Sequence, residues 1–207
     1  MLPYLLYLSL FIGGGSIAID ATAGERERQS LEPLLANPLP RWQLAVGKLM
    51  ASATFSIVAA GLSLVLFVVG FKLLPLERMG MQVGLDATGC LIIFALLIPL
   101  GLIAAAAQTT VAAFSKSFRE AQSQVSLLAM IPMLPSMALM LNPVKPQMHF
   151  YLYPFFGQHF VIERIVRAEG FLWQPALIAT LSSFVIAAIL MVVASRMYHR
   201  ESLAVSS

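Results

Sequence analysis

Along the chain, five long apolar stretches alternate with short polar ones. About twenty apolar residues cross a bilayer core as a helix. By that ruler the spans fall at about Pro3–Thr22, Leu44–Leu73, Thr88–Phe114, Gln124–Leu141 and Trp173–Met197. None alternates apolar and polar positions with the period of two expected of a half-buried strand. A helix satisfies every backbone N–H and C=O within its own segment, which lipid cannot do. The predicted fold is therefore all-α, a polytopic integral membrane protein whose single transmembrane domain occupies residues 1–207. Gly13, Gly14 and Gly15 lie near the middle of the first span, Pro99 and Gly101 can kink the third, and Pro132 and Pro135 interrupt the fourth.

The polar stretch between the first two spans, residues 23–43, is the most structured. Glu25, Arg26, Glu27 and Arg28 follow directly on an apolar run. At the centre of a bilayer each such charge costs roughly 2.5–3.5 kcal/mol even on the lenient insertion scale, so the block belongs in water or against protein. Beyond it, Ser30 can cap a short helix, Glu32 suits that helix's positive end, and Pro33 is tolerated in its first turn. Leu31, Leu34 and Leu35 give it one apolar face, and Asn37-Pro38 and Pro40 end it. The expected product is a short stiff helix on the membrane surface. The blander reading is a topological stop made only of juxtamembrane charges.

The polar stretch from Asn142 to Leu172 is too patterned for a plain loop. Tyr151, Tyr153, Phe155 and Phe156 suit a membrane–water interface. Residues 157–169 read as an amphipathic helix in the outer leaflet. His159, Glu163 and Arg167 form one polar stripe, with Phe160, Val161, Ile165 and Ala168 opposite, and Gly170 can end it.

Composition sharpens this picture without changing it. The 207 residues are 59% hydrophobic and 11% charged, with a mean hydropathy of +0.84; a soluble domain carries about 25% charged residues. The net charge of +3 does not imply nucleic-acid binding, because the basic residues sit at the ends of apolar runs rather than in a patch. Cys90, the single cysteine, reads as a small buried hydrophobe. The first basic residue, Arg26, follows the first apolar run, which is the wrong order for a signal peptide. Placing the charge block in the cytoplasm puts eight of the basic residues inside and five outside, the bias that orients spans. The N-terminus is then outside and the C-terminus cytoplasmic, in a multi-pass protein of the plasma (inner) membrane.

Candidate chemistry is sparse. Asp20, near the cytoplasmic end of its span, is a candidate for an ion path, since intramembrane carboxylates are costly; a plain interfacial position is the simpler reading. His159 and Glu163 at i and i+4, with His149 near in sequence, could serve a metal-dependent hydrolase or protease within the membrane. A solvated stripe with a Glu163–Arg167 pair is the alternative. Pro132 and Pro135 could build a gate or simply kink the helix. Gly47-Lys48 is followed by Leu49, and Trp42 stands where a phosphate loop has its first glycine, so this pair is not one.

The charge block resembles the cytoplasmic signature of type-2 ABC transporter permeases, in particular their sodium-efflux-like branch. The resemblance rests on Asp20, Ala23 to Arg28, Ser30 to Leu35, Pro38, Arg41, Gly47 and Lys48. Weaker echoes follow in Phe114 to Gln122, in the outer amphipathic helix and in a last span ending at Arg196 and Arg200-Glu201. The resemblance implies a permease subunit of an ATP-driven exporter of a small cation or amphipathic compound. It implies a homodimer or heterodimer in the lipid bilayer with a separate ATP-binding subunit, which alone carries ATP and Mg²⁺; this chain would hold no cofactor and no catalytic residue. Glu25, Arg26, Glu27, Arg28, Glu32, Leu34 and Leu35 are then the expected contacts of a coupling helix with that subunit. Such permeases have six spans, and those found here correspond to the second to sixth. The first span and an extracellular insert are expected to lie outside this chain.

Overall fold

The computed structural model of the chain describes residues 2–28, 40–73, 85–142 and 144–204. Among the described residues every regular element is a helix. Helix α1 is Leu2–Ile19, continued by a π-helical turn Asp20–Gly24 and a last turn Glu25–Glu27. Then come α2, Arg41–Leu73; α3, Ala87–Phe114; α4, Phe118–Leu128; and α5, Met133–Leu141. A 3₁₀ turn, Met148–Leu152, leads to α6, Phe156–Val166, and α7, Trp173–Ala204. Five rods are long and apolar enough to span a membrane: the α1 rod, α2, α3, α4 with α5, and α7. The fold is thus the all-α polytopic one that the hydropathy pattern implies.

The rods divide into inner and outer ones. In their most apolar windows, 56% of both α1 and α3 is buried within the protein, against 17–22% for α2, α4–α5 and α7. Helix α1 is central, touching α2, α3, α4, α5 and α6. Its Leu6, Tyr7 and Leu10 meet Ile93, Leu97 and Leu100 of α3 in a fully buried core. A β-carbon on Gly14 would run into Ser56 Oγ and lie 2.7 Å from the Ser52 carbonyl, so only glycine lets α1 and α2 approach this closely. Ser52 Oγ donates to the Gly14 carbonyl at 3.0 Å across the same contact. Helix α3 runs unbroken through Pro99. The fourth rod is interrupted from Ala129 to Pro132, as its prolines require.

Segment 144–172 folds back onto the bundle. Gly157 brings α6 so near its neighbours that a β-carbon there would lie 2.8 Å from the Tyr151 carbonyl and 2.9 Å from Ala179 Cβ. Buried Gln158 donates to the Ala179 carbonyl at 2.9 Å and to Ser183 Oγ at 2.5 Å, and accepts from the Phe155 N–H at 3.0 Å. Phe155 holds a left-handed φ of 68°, costly for a bulky residue. The Tyr7 hydroxyl fixes it by donating to its carbonyl at 2.9 Å, with the two rings edge to face at 5.3 Å. The apolar face of α6 is therefore spent on protein.

Candidate functional site

Two polar clusters stand at opposite ends of α1, roughly 30 Å apart by helical rise. The first is the charge block. Arg26 and Glu27 sit where α3 ends and α4 begins. A helix C-terminus presents unpaired carbonyls with partial negative charge, and an N-terminus presents unpaired N–H groups with partial positive charge. The Arg26 guanidinium donates to the Ala113 carbonyl at 2.6 Å and to that of Ser115 at 3.1 Å, closing the end of α3. The Glu27 carboxylate accepts the Phe118 N–H at 2.8 Å, at the start of α4. Consecutive residues of opposite charge thus answer helix ends of opposite polarity. Ser117 completes the α4 start by accepting from the Glu120 N–H at 3.3 Å, while Glu120 accepts from the Lys116 N–H at 2.7 Å.

Glu25 extends the tie to α2 through an ion pair with Lys48, whose side chain is only 10% exposed. A half-buried pair is less screened than a surface one. Arg28 and Asp20 pair at 2.5 Å across the π-helical turn, with both side chains more than half exposed, a geometry worth about 0–1 kcal/mol. Asp20, the candidate for an ion path, is thus placed beside an arginine at the helix end. Glu32, Leu34 and Leu35 lie outside the described residues.

The second cluster borders a cavity of about 640 Å³ between the start of α1, α5, the 3₁₀ turn and α6. Ser136 Oγ lies 2.9 Å from His159 Nδ1, and His159 Nε2 lies 3.5 Å from the Glu163 carboxylate. Arg167 donates to the other Glu163 oxygen at 2.6 Å. A ring hydrogen on Nε2 would face the Glu163 carboxylate, which only accepts, and would leave Nδ1 to take the serine hydroxyl's hydrogen bond. The Glu163 carboxyl is held below the ordinary carboxylate range, chiefly by the His159 hydrogen bond. Partial burial acts upward, and the Arg167 charge acts downward.

This corrects the picture of a solvated stripe. The Glu163–Arg167 pair is present, but His159 is only 6% exposed and faces Ser136. Polar periodicity marked the right residues but could not reveal that α5 covers one of them. Ser136, 23 residues earlier, carries no sequence signal, being a lone serine directly after Pro135 in an apolar run. The metal-dependent hydrolase reading gains nothing from the geometry. His149 packs on Phe150 with ring centroids 4.2 Å apart and does not line the cavity. Among the described residues no three His, Cys, Asp or Glu side chains gather where they could hold a metal.

A central rod thus carries a charged tie at one end and a polar cavity at the other, in a protein with five helices long and apolar enough to cross a membrane. The family model described as ABC-2 family transporter protein matches residues 5–202. Over 170 residues the chain is 31% identical to the ABC transporter permease protein NatB of Bacillus subtilis (strain 168), an overlap covering 80% of this chain and 44% of that relative. No solved structure matches the chain. The chain belongs to the ABC-2 family of transporter proteins, as the charge block's resemblance implied.

Proposed function

We propose that this chain is the membrane-embedded half of an ATP-driven exporter. It takes force at its cytoplasmic end from a separate ATP-binding subunit and works as a homodimer or heterodimer in the plasma membrane, with its N-terminus outside and C-terminus inside. The observation that carries the reading is the tie around Arg26. Through Glu25, Arg26 and Glu27, one charged turn holds α2, the end of α3 and the start of α4 to α1. A push on the segment that follows would move four rods together rather than bend one, the condition for rigid-body switching. Glu32, Leu34 and Leu35 are assigned to docking with the partner, and Glu25 to Arg28 chiefly to transmission. ATP and Mg²⁺ belong to the partner. The transported species is taken as a small cation, with an amphipathic compound as the alternative, on the strength of the family branch.

Docking and transmission can be separated by experiment. The tagged chain is purified with a P-loop ATPase retained, and ATP-driven ²²Na⁺ movement is followed in membrane vesicles. Glu32→Lys is expected to lower ATPase retention. Arg26→Gln is expected to keep the ATPase but lose transport. Absence of any retained ATPase, or full transport in both variants, contradicts the proposal.

A further inference from the structure

The cavity beside Ser136 and His159 takes no part in the tie, yet it is a recess of about 640 Å³ with a built polar floor. Its floor is polar and buried: Ser136 and His159 are 5% and 6% exposed. Ser136 and His159 are hydrogen-bonded to each other, and the Glu163 carboxylate beside them is held by Arg167 at 2.6 Å with His159 at 3.5 Å. Its rim carries two charges of each sign, Glu163 and Glu169 with Arg164 and Arg167. One wall, formed by Met137, Met140 and Val144, is apolar and exposed. The same end of the molecule carries exposed Tyr153 and Trp173, the residues that mark a membrane–water boundary.

A net-neutral rim of both signs beside an exposed apolar wall, at that boundary, fits a ligand that is itself zwitterionic and tailed. The geometry points to a binding site for a zwitterionic phospholipid headgroup of the phosphoethanolamine type. Its ammonium would meet Glu163, its phosphate would meet Arg164, and an acyl chain would lie along Met137 and Met140. Spare bonding capacity is present at both poles. Glu163 uses one oxygen for Arg167 and meets His159 only at 3.5 Å with the other, leaving lone pairs for a further donor. Arg164 reaches the Gly170 and Glu169 carbonyls through Nε and Nη2 only at 3.4 Å, long bonds that a phosphate would improve on. A purely anionic headgroup would place its charge against the oriented Glu163 carboxylate without an ammonium to offset it. A lone organic cation would leave Arg164 unanswered. This site does not depend on the exporter reading, because it needs neither ATP nor a partner subunit.

The test uses the purified full chain in detergent micelles, with equimolar phosphatidylethanolamine and phosphatidylglycerol added and bound lipid read by native mass spectrometry. The wild type is expected to retain phosphatidylethanolamine in preference. Glu163→Gln should reduce that preference by about tenfold, the worth of one charge-assisted hydrogen bond, and Arg164→Gln should weaken retention of both lipids. Free phosphoethanolamine, offered as competitor, distinguishes a headgroup site from one that requires the tail. Displacement by it assigns the binding to the headgroup, whereas failure to compete while the variants still lose lipid assigns it to headgroup and tail together. In a second arm, a photoactivatable acyl chain on phosphatidylethanolamine should label Met137 to Met140. Equal retention of the two lipids, or label spread evenly over α2 and α7, overturns the proposal.

Discussion

The two ends of α1 use polar residues in opposite ways. At the charge-block end, charged side chains are spent chiefly on backbone. Arg26 and Glu27 close a helix terminus each, and Glu25 holds Lys48. At the far end, side chains bond to one another, from Ser136 through His159 and Glu163 to Arg167, and leave a cavity beside them. Backbone at a helix end cannot move without moving its helix, so the first arrangement suits the proposed transmission of force. A chain of side chains can change partners while the helices stay in place, so the second can accept a ligand. The same residue types thus suit a joint at one end and a receptacle at the other, and the kind of partner decides which.

Breaking the joint should have the largest effect. Arg26→Gln strips the Ala113 and Ser115 carbonyls of a charged donor and is expected to cost about 2–3 kcal/mol, seen as a lower melting temperature in detergent. Arg26→Lys should recover only part of this, because an ammonium lacks the guanidinium fork. Next comes the contact between the two ends. Gly14→Ala forces α1 away from Ser52 and Ser56 and should cost about 1–3 kcal/mol, offset in part by alanine's better helix propensity. At the receptacle, Ser136→Ala removes one hydrogen bond from His159 for about 1 kcal/mol. The smallest effect belongs to Arg28→Gln. Its pair with Asp20 is exposed on both sides, and the change should stay within about 0.5 kcal/mol.

Acid should act on the far end through Glu163. The folded Glu163 carboxyl holds its proton less tightly than the unfolded one. The unfolded chain therefore binds more protons in the titration range, and stability rises with pH there. The contribution of Glu163 is full above the ordinary carboxylate range and is lost as pH falls through the lowered folded value. Melting curves of wild type and Glu163→Gln should accordingly converge as pH drops below about 4. A gap that widens on acidification would mean that His159 and Arg167 do not stabilise the charged form.

Much of the scaffold could be read from the chain before any coordinates. Length and hydropathy are enough to place five spans, because the bilayer fixes both helix length and apolarity. The paired prolines foretold the break in the fourth rod. The merging of α1 with the charge block into one rod, Leu2–Glu27, was not legible, since a π-helical turn has no sequence signature. Nor were the partners of Arg26. Those are backbone carbonyls 87 and 89 residues away, and a carbonyl belongs to every residue alike. His159 and Glu163 were visible as a spacing, but their environment comes from α5, whose contribution is a single serine.

The central claim is that α1 and α2 move as one body at the charge-block end. Cysteines replacing Glu25 and Lys48, joined by a short thiol cross-linker, test it directly in vesicles that also hold the ATP-binding subunit. If the joint stays closed through the cycle, ATP-driven ²²Na⁺ movement persists after cross-linking at the rate of the uncross-linked pair. If cross-linking halts transport and cleaving the linker restores it, the joint must open in each cycle, and the account of a rigid transmission fails.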